Sequence, residues 1–433
     1  MNKPEEFTAD RQGEQSDEAR TNGALQDFIR DCTVDTAIYL ESCIHCGLCA
    51  EACQFYVQTG DPRYTPVWKL EPFKQAYKRE AGPFSFFYKA LNLKHRVTVD
   101  ELEAWQHLLY DACTLCGRCS LVCPMGIDVA SLIGMARHGM HRAGLVPKDL
   151  YALAQRAEDT GSPLGASPEL FRETINRLAS EHSLDIPLDR AQADVLVTLS
   201  AAEISDYPES IVAMARVMNH AGYDWTYSSN GFEATNFGML SGNTDWQRDM
   251  SMNLINAAIA CKAGTVVVPE CGHAYGAFRW QAANMYGEPL PFRVLHIAEL
   301  MAEAMEQGNL RVTPVEQSAS FHDPCQVSRR GGATQAPRTV LKQLGVDLHE
   351  LPGGGELNWC CGGGGGVMQI GRADELRYAA FRLKIDQVEQ AGADRLYTSC
   401  NNCRLNFSDC GEHFHWDTRA DSLLELVADN LAD

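Results

Sequence analysis

No run of about eighteen apolar residues occurs in this 433-residue chain, so nothing in it reads as a helix that spans a bilayer. Positive charge is scarce too. The chain has 37 lysines and arginines against 57 aspartates and glutamates, a formal net charge of −20. That balance argues against nucleic acid as a partner and against direct binding to an anionic membrane surface. The first thirty residues (MNKPEEFTADRQGEQSDEARTNGALQDFIR) lack the apolar stretch of a secretory signal. Residues 1–30 are expected to be a disordered, solvated acidic tail. Cysteine is the residue in surplus. Seventeen cysteines would suit a disulfide scaffold, but such scaffolds are small, secreted and signal-bearing. Thirteen of the 17 instead fall into three metal-ligand patterns, which implies a reducing compartment, the cytoplasm.

Two of the patterns are alike. Cys43-x2-Cys46-x2-Cys49-x3-Cys53 and Cys113-x2-Cys116-x2-Cys119-x3-Cys123-Pro124 are separated by a 59-residue insert. Thiolates are soft ligands that suit iron-sulfur centres, and in this run the fourth cysteine reaches the other cluster. Cluster one is therefore assigned to Cys43, Cys46, Cys49 and Cys123, and cluster two to Cys113, Cys116, Cys119 and Cys53. Both are expected to be ferredoxin-type 4Fe-4S clusters. Structural zinc is the alternative, and two complete runs disfavour it. Gly47 and Gly117 leave backbone close to sulfur, which suits amide hydrogen bonds. Within the insert, the aromatic and basic stretch Gly82–Arg96 reads as a core helix with a polar edge, with a docking helix for a membrane partner as the alternative.

The third pattern is less ordinary. Cys360 and Cys361 are adjacent, with Cys325 before them (34 residues between) and Cys400-x2-Cys403 after (38 residues between). Adjacent cysteines do not ligate one metal in the CxxC manner, and five glycines follow the pair, Gly362 to Gly366. Glycines let backbone approach sulfur and donate to it. A cysteine pair offering one terminal and one bridging thiolate would open one face of a cluster. Zinc or an ordinary cubane is the alternative here. His322 and Asp323, just before Cys325, are candidates for delivering a proton to a leaving thiolate; a turn residue and a helix cap are the plainer readings. Trp359 packs either over the site or in the core. Cys32, Cys261, Cys271 and Cys410 fit no pattern and are read as free thiols, with Cys271 as a possible guard of the site.

From about residue 191 short apolar strands alternate with helices: strand 193–199, helix 211–220, strand 265–269, then strand 319–323, helix 339–344 and strand 395–399. Such alternation argues for α/β layers with ligand sites at the carboxyl ends of the strands. The two halves align as an internal repeat. An offset of 124 matches Cys325 to Ala201 and Cys360-Cys361 to Asn236-Phe237, and an offset of 129 matches Cys400 to Cys271 and Cys403 to Ala274. The first copy keeps one of five ligands and has lost its site. His273 and Tyr275 stand where its CxxC would be, lining a pocket or forming a relic core. The fold class is thus mixed: an α-helical ferredoxin domain, then duplicated α/β cysteine-rich domains. The division is 1–30 tail, 31–145 ferredoxin, 146–190 helical linker, 191–310 degenerate copy and 311–433 intact copy.

The spacing of Cys325, Cys360-Cys361-Gly362 and Cys400-x2-Cys403 resembles the cysteine-rich CCG domain. That domain occurs in heterodisulfide reductase catalytic subunits and in the iron-sulfur subunits of glycolate and lactate oxidases. The long insert resembles the helical ferredoxins of fumarate and heterodisulfide reductases. Across residues 33–433 the layout resembles the fused heterodisulfide reductase HdrD type, including the DsrK proteins of sulfite-reduction complexes. The resemblance implies a third 4Fe-4S cluster, non-cubane, held by Cys325, Cys360, Cys361, Cys400 and Cys403, with His322 beside it. That cluster would reduce or form a disulfide or persulfide bond, fed singly by the two cubanes. With one intact copy, a single-site mechanism is required. The implied partners are a membrane cytochrome b-like, quinone-reactive subunit and a small thiol or disulfide sulfur-carrier protein. The implied location is the cytoplasmic face of the inner membrane, reached through that partner. The alternative is an electron-transfer subunit of a flavin-dependent glycolate- or lactate-type dehydrogenase.

Overall fold

The computed structural model describes residues 7–432. Two compact units divide them. One comprises the chain up to Ala154 with Phe237–Thr244 and Gly362–Leu383; the other comprises Gln155–Asn236, Asp245–Cys361 and Lys384 onward. This division cuts across the linear one expected from the sequence, because each copy of the repeat sends the segment after its cysteine-pair position into the first unit.

The first unit is helical. Its amino-terminal stretch corrects the expectation of a disordered tail. Asp17–Arg30 is a helix capped by Ser16, whose hydroxyl accepts from Ala19 N, with Asp17 and Glu18 in the first turn and Arg30 in the last. It buries Ala24, Leu25 and Phe28. The Phe28 ring lies so close over Gly139 of the helix Val129–Arg142 that a Cβ there would collide with it. The polar residues that suggested a tail are in use. Arg20 is buried and donates to the carbonyls of Ala143 (2.7 Å), Gly144 (3.1 Å) and Gly13 (2.7 Å), closing the end of the helix Val129–Arg142. Residues 1–6 of the expected tail lie outside the described residues.

The helix Pro66–Glu80 starts from a Thr65 cap with Pro66 at its first position. It buries Phe73 against Phe28, and Trp105 Nε1 donates to its Lys69 carbonyl at 2.5 Å. The short helix Ser85–Ala90 buries none of its residues. Phe84, Phe86 and Phe87 are exposed, at 62, 75 and 56%, so the core-helix reading of this stretch does not hold.

The second unit contains two parallel four-stranded sheets. The first has β1 (Val195–Val197), β2 (Trp225–Thr226), β3 (Thr265–Val268) and β4 (Arg293–His296), in the order β2-β1-β3-β4. The second has β5 (Ser318–His322), β6 (Asp347–Leu348), β7 (Arg395–Thr398) and β8 (Ala420–Ser422), in the order β6-β5-β7-β8. The two orders are the same, as a duplication requires. Val195–Val197 is wholly buried, the continuous apolar run of a strand covered on both faces. One hydrophobic core runs through both copies, joining Val197 and Leu295 to Phe321 and Leu423. Each such side chain contributes roughly 1.5–3 kcal/mol by leaving water. The helix after the third strand starts alike in both copies. Cys271 occupies the N-cap position of Gly272–Gly276 and Cys400 that of Asn401–Phe414, which matches the 129-residue offset.

Candidate functional site

The two ferredoxin runs fold into loops with the same pattern of left-handed residues. His45 and Gly47 in the first (φ 56° and 84°) and Leu115 and Gly117 in the second (φ 55° and 74°) adopt the left-handed region at equivalent positions. A left-handed histidine or leucine is strained, and its recurrence marks a loop held for a purpose. Cys43, Cys46, Cys49 and Cys123 line one cavity with Val67, Leu70 and Ile127. Cys113, Cys116, Cys119 and Cys53 interact as a second group, and Cys119 is pushed well up by burial and by the other three thiols. The structure therefore gathers the two four-cysteine sets as the spacing grouped them.

Two buried lysines on the helix Pro66–Glu80, unremarked in the sequence, accompany these sets. Lys69 Nζ donates to Ala112 O at 2.5 Å and lies 3.5 Å from Cys53 Sγ. Burial works against its charge, but the thiols of Cys53, Cys113 and Cys119 outweigh that and raise its pKa. Lys74 Nζ lies 2.8 Å from His45 Nε2, beside the first set. The periodicity that put these lysines on the buried face was masked by their charge.

The five-cysteine site forms at the carboxyl ends of β5 and β7. Cys325, Cys360, Cys361, Cys400 and Cys403 are all buried. Cys325 Sγ and Cys360 Sγ are 3.9 Å apart. Ligand atoms of Cys361, Cys403 and His322 lie within 4.8 Å of one another. The Cys403 thiol is pushed well up by its bonds to Cys361 and Cys400. Cys400 is lowered, first by the Cys403 bond and then, against burial, by the amides of Gly272, Cys403 and Asn402. Asn406 Nδ2 donates to Cys361 O at 2.8 Å and fixes the pair's backbone. Such a crowd of buried thiols is what a metal-sulfur centre neutralises.

His322 belongs with this group. Its Nδ1 is 3.2 Å from Asn358 Nδ2, and its Nε2 is buried without a partner. Burial, then nearby Lys384, holds its pKa well below the usual imidazole range, so the ring is neutral. A buried orphan nitrogen costs about 1–3 kcal/mol and points to a group that would satisfy it. The donor set therefore fits an iron-sulfur cluster. Asp323 is a different matter. Arg338 grips both of its oxygens (2.8 and 3.0 Å) and Gly355 N donates to it at 2.7 Å. It is a buried structural anion, which corrects its candidacy as a proton donor. Lys384, also missed in the sequence, donates to Asn358 Oδ1 at 2.9 Å. Burial brings its pKa down to about 7, with the thiols of Cys361, Cys360 and Cys403 pulling it upward. Trp359 is half-buried.

In the degenerate copy Asn236 serves the fold, donating to Gln247 O (2.9 Å) and Ser251 Oγ (3.2 Å). Tyr275 donates to Glu299 at 2.6 Å and stacks edge-on against His296, and His273 is buried beside it. Both belong to a relic core. Cys271 stays near the living site: the Gly272 amide next to it donates to the Cys400 sulfur, and burial and Cys400 raise the Cys271 thiol.

The glycine run does a job the sequence did not disclose. Gly365 has φ +64°, and a Cβ on it would sit 2.7–2.9 Å from the backbone of Cys113 and Thr114. Arg137, fully buried, donates to Gly365 O (2.7 Å), Cys113 O (2.9 Å) and Leu240 O (2.9 Å). One guanidinium thus holds the corresponding segments of both copies against the second ferredoxin loop.

Known proteins match this arrangement. A 4Fe-4S dicluster domain covers residues 39–127 and a cysteine-rich CCG domain residues 319–408. The chain is 24% identical to an Hdr-like menaquinol oxidoreductase iron-sulfur subunit 2 of Archaeoglobus fulgidus, over 91% of this chain and 80% of that protein. It is 25% identical to the HdrD polypeptide of the dihydromethanophenazine:CoB–CoM heterodisulfide reductase of Methanosarcina barkeri, over 90% of this chain and 94% of that one. It is 26% identical to an EtfAB:quinone oxidoreductase of Syntrophomonas wolfei, over 91% of this chain and 58% of that protein.

Proposed function

We propose that this chain, a 4Fe-4S dicluster domain joined to a cysteine-rich domain as in its HdrD-type homologues, is the catalytic iron-sulfur subunit of a disulfide-type oxidoreductase. Two ferredoxin-type 4Fe-4S clusters and a further non-cubane cluster would supply single-electron steps to a sulfur–sulfur bond, whose cleavage to two thiols takes two electrons and two protons. Cys43, Cys46, Cys49 and Cys123 would hold the first, Cys113, Cys116, Cys119 and Cys53 the second, and Cys325, Cys360, Cys361, Cys400 and Cys403 the third. The observation that carries the reading is the buried five-thiol group with the orphan His322 nitrogen beside Cys361 and Cys403.

The chain's own residues supply order and protons. Cys46 is exposed, with Ile44, Leu48 and Met125 exposed around it, so electrons exchange with a partner at the first set. Cys113 is buried, and Arg137 donates to both its carbonyl and that of Gly365, which holds the loop of the second set in place. His322, neutral and oriented by Asn358, offers its Nε2–H as a hydrogen bond to a leaving thiolate. Lys384, on the same Asn358 and with its pKa brought down to about 7 by burial, is the group that can yield the proton. A quinone-reactive cytochrome b-like membrane subunit and a small sulfur-carrier protein are the partners this reading calls for, at the cytoplasmic face of the inner membrane. The similarity to an EtfAB:quinone oxidoreductase favours one second reading, transfer of electrons from a flavoprotein to quinone without sulfur chemistry.

Electron paramagnetic resonance separates the two. Oxidised protein treated with thiol should give a substrate-dependent paramagnetic signal that Cys361→Ser abolishes, while both ferredoxin signals of the chemically reduced protein persist. A thiol response that survives Cys361→Ser rules the first reading out.

A further inference from the structure

The chain-wide charge of −20 conceals a local reversal. Between Lys74 and Arg96 there are six lysines and arginines against the single Glu80, and no acidic residue occurs from Ala81 to Val99. The same stretch carries the exposed Phe84, Phe86, Phe87, Leu91 and Leu93, at 56–75% exposure. On the helix Ser85–Ala90 and its flanks, Phe84, Phe87 and Leu91 follow the i, i+3, i+7 spacing of one face. Phe86 stands beside them, its ring 5.7 Å from that of Phe87. Soluble proteins rarely leave so many large apolar side chains together in water.

We propose that residues 82–96 dock on the headgroup region of an anionic lipid bilayer. Phenylalanines and leucines enter the acyl boundary while cations meet the lipid phosphates, the pattern of an interfacial amphipathic segment. The charge complementarity selects an anionic lipid surface over a neutral or basic protein groove. The flanking cations are held in place. Lys89 pairs with Glu80 at 2.9 Å, Lys94 bonds Gln75 and lies 5.6 Å over the Tyr88 ring, and Arg96 bonds Asn22. Exposed Lys89 and Arg96 leave part of their charge to solvent. The docking is interfacial, since none of the described helices is long and apolar enough to cross a membrane. This inference stands apart from the chemistry of the five cysteines.

Sedimentation of the anaerobic holoprotein with protein-free vesicles tests it. Vesicles of mixed phosphatidylglycerol and phosphatidylcholine should bind the protein, and molar salt or pure phosphatidylcholine should weaken binding at least about tenfold. The double variant Phe86→Ser/Phe87→Ser, at exposed positions, should weaken it by at least about tenfold with iron content and circular dichroism unchanged. Failure of the native holoprotein to bind the anionic vesicles overturns the proposal. So does binding confined to native membranes that still carry their proteins, which would make a protein the occupant.

Discussion

Replacing Lys69 with methionine removes a positive charge while keeping the length of the side chain. The ammonium is 1% exposed and 3.5 Å from Cys53 Sγ, with the Phe55 ring 5.2 Å away. At an effective dielectric near 20, unit charges about 4 Å apart interact by about 4 kcal/mol. An electron added to the second cluster spreads over several atoms, so half of that, about 2 kcal/mol, is the share it feels. For one electron this is roughly 80 mV. The stabilising charge favours the reduced state, so Lys69→Met should lower the potential of the second cluster by roughly 80 mV and leave the first unchanged. Lys69→Arg should restore most of the difference. Anaerobic redox titration followed by paramagnetic resonance reads both clusters, with iron analysis confirming occupancy. An unchanged or raised second potential at full iron content would refute the assignment of Lys69 to that cluster.

Arg137→Met leaves the buried carbonyls of Leu109, Cys113, Leu240 and Gly365 without their donor. At about 1–3 kcal/mol for each unpaired group, less the relief of burying no charge, the loss is on the order of 3 kcal/mol or more, visible in thermal unfolding of the holoprotein. Burial pushes Glu203 up to about 8 and Glu233 and Glu270 up to about 7. Raised carboxyls bind more protons folded than unfolded, so their stabilisation is complete below about pH 4 and is lost as pH rises toward 7–8. Glu203→Gln should flatten the fall in unfolding temperature over that window, and a slope equal to the native one would show that Glu203 is ionised in the fold.

Cysteine spacing carried most of the site. Both four-cysteine groups and the five-thiol group come together in space because CxxC loops and strand-end turns are local devices that spacing encodes directly. The repeat was legible for the same reason, and the two sheets share one strand order. Three things were hidden. Arg20 and Asp17–Arg30 look solvated, yet the helix is held by side-chain bonds to carbonyls, which composition does not reveal. The run Phe84–Leu93 looks like core, because hydrophobicity states what a residue prefers and not what covers it. Gly365 and Arg137 join segments more than two hundred residues apart, and no periodicity reports a tertiary contact of that kind.

Iron, sulfide and zinc analysis of the anaerobically purified protein tests the central claim, that the five buried cysteines hold a third cluster. Three four-iron clusters require about twelve iron atoms per chain and a similar amount of sulfide, with no zinc. About eight iron atoms together with one zinc would contradict it and leave Cys325, Cys360, Cys361, Cys400 and Cys403 as a structural metal site.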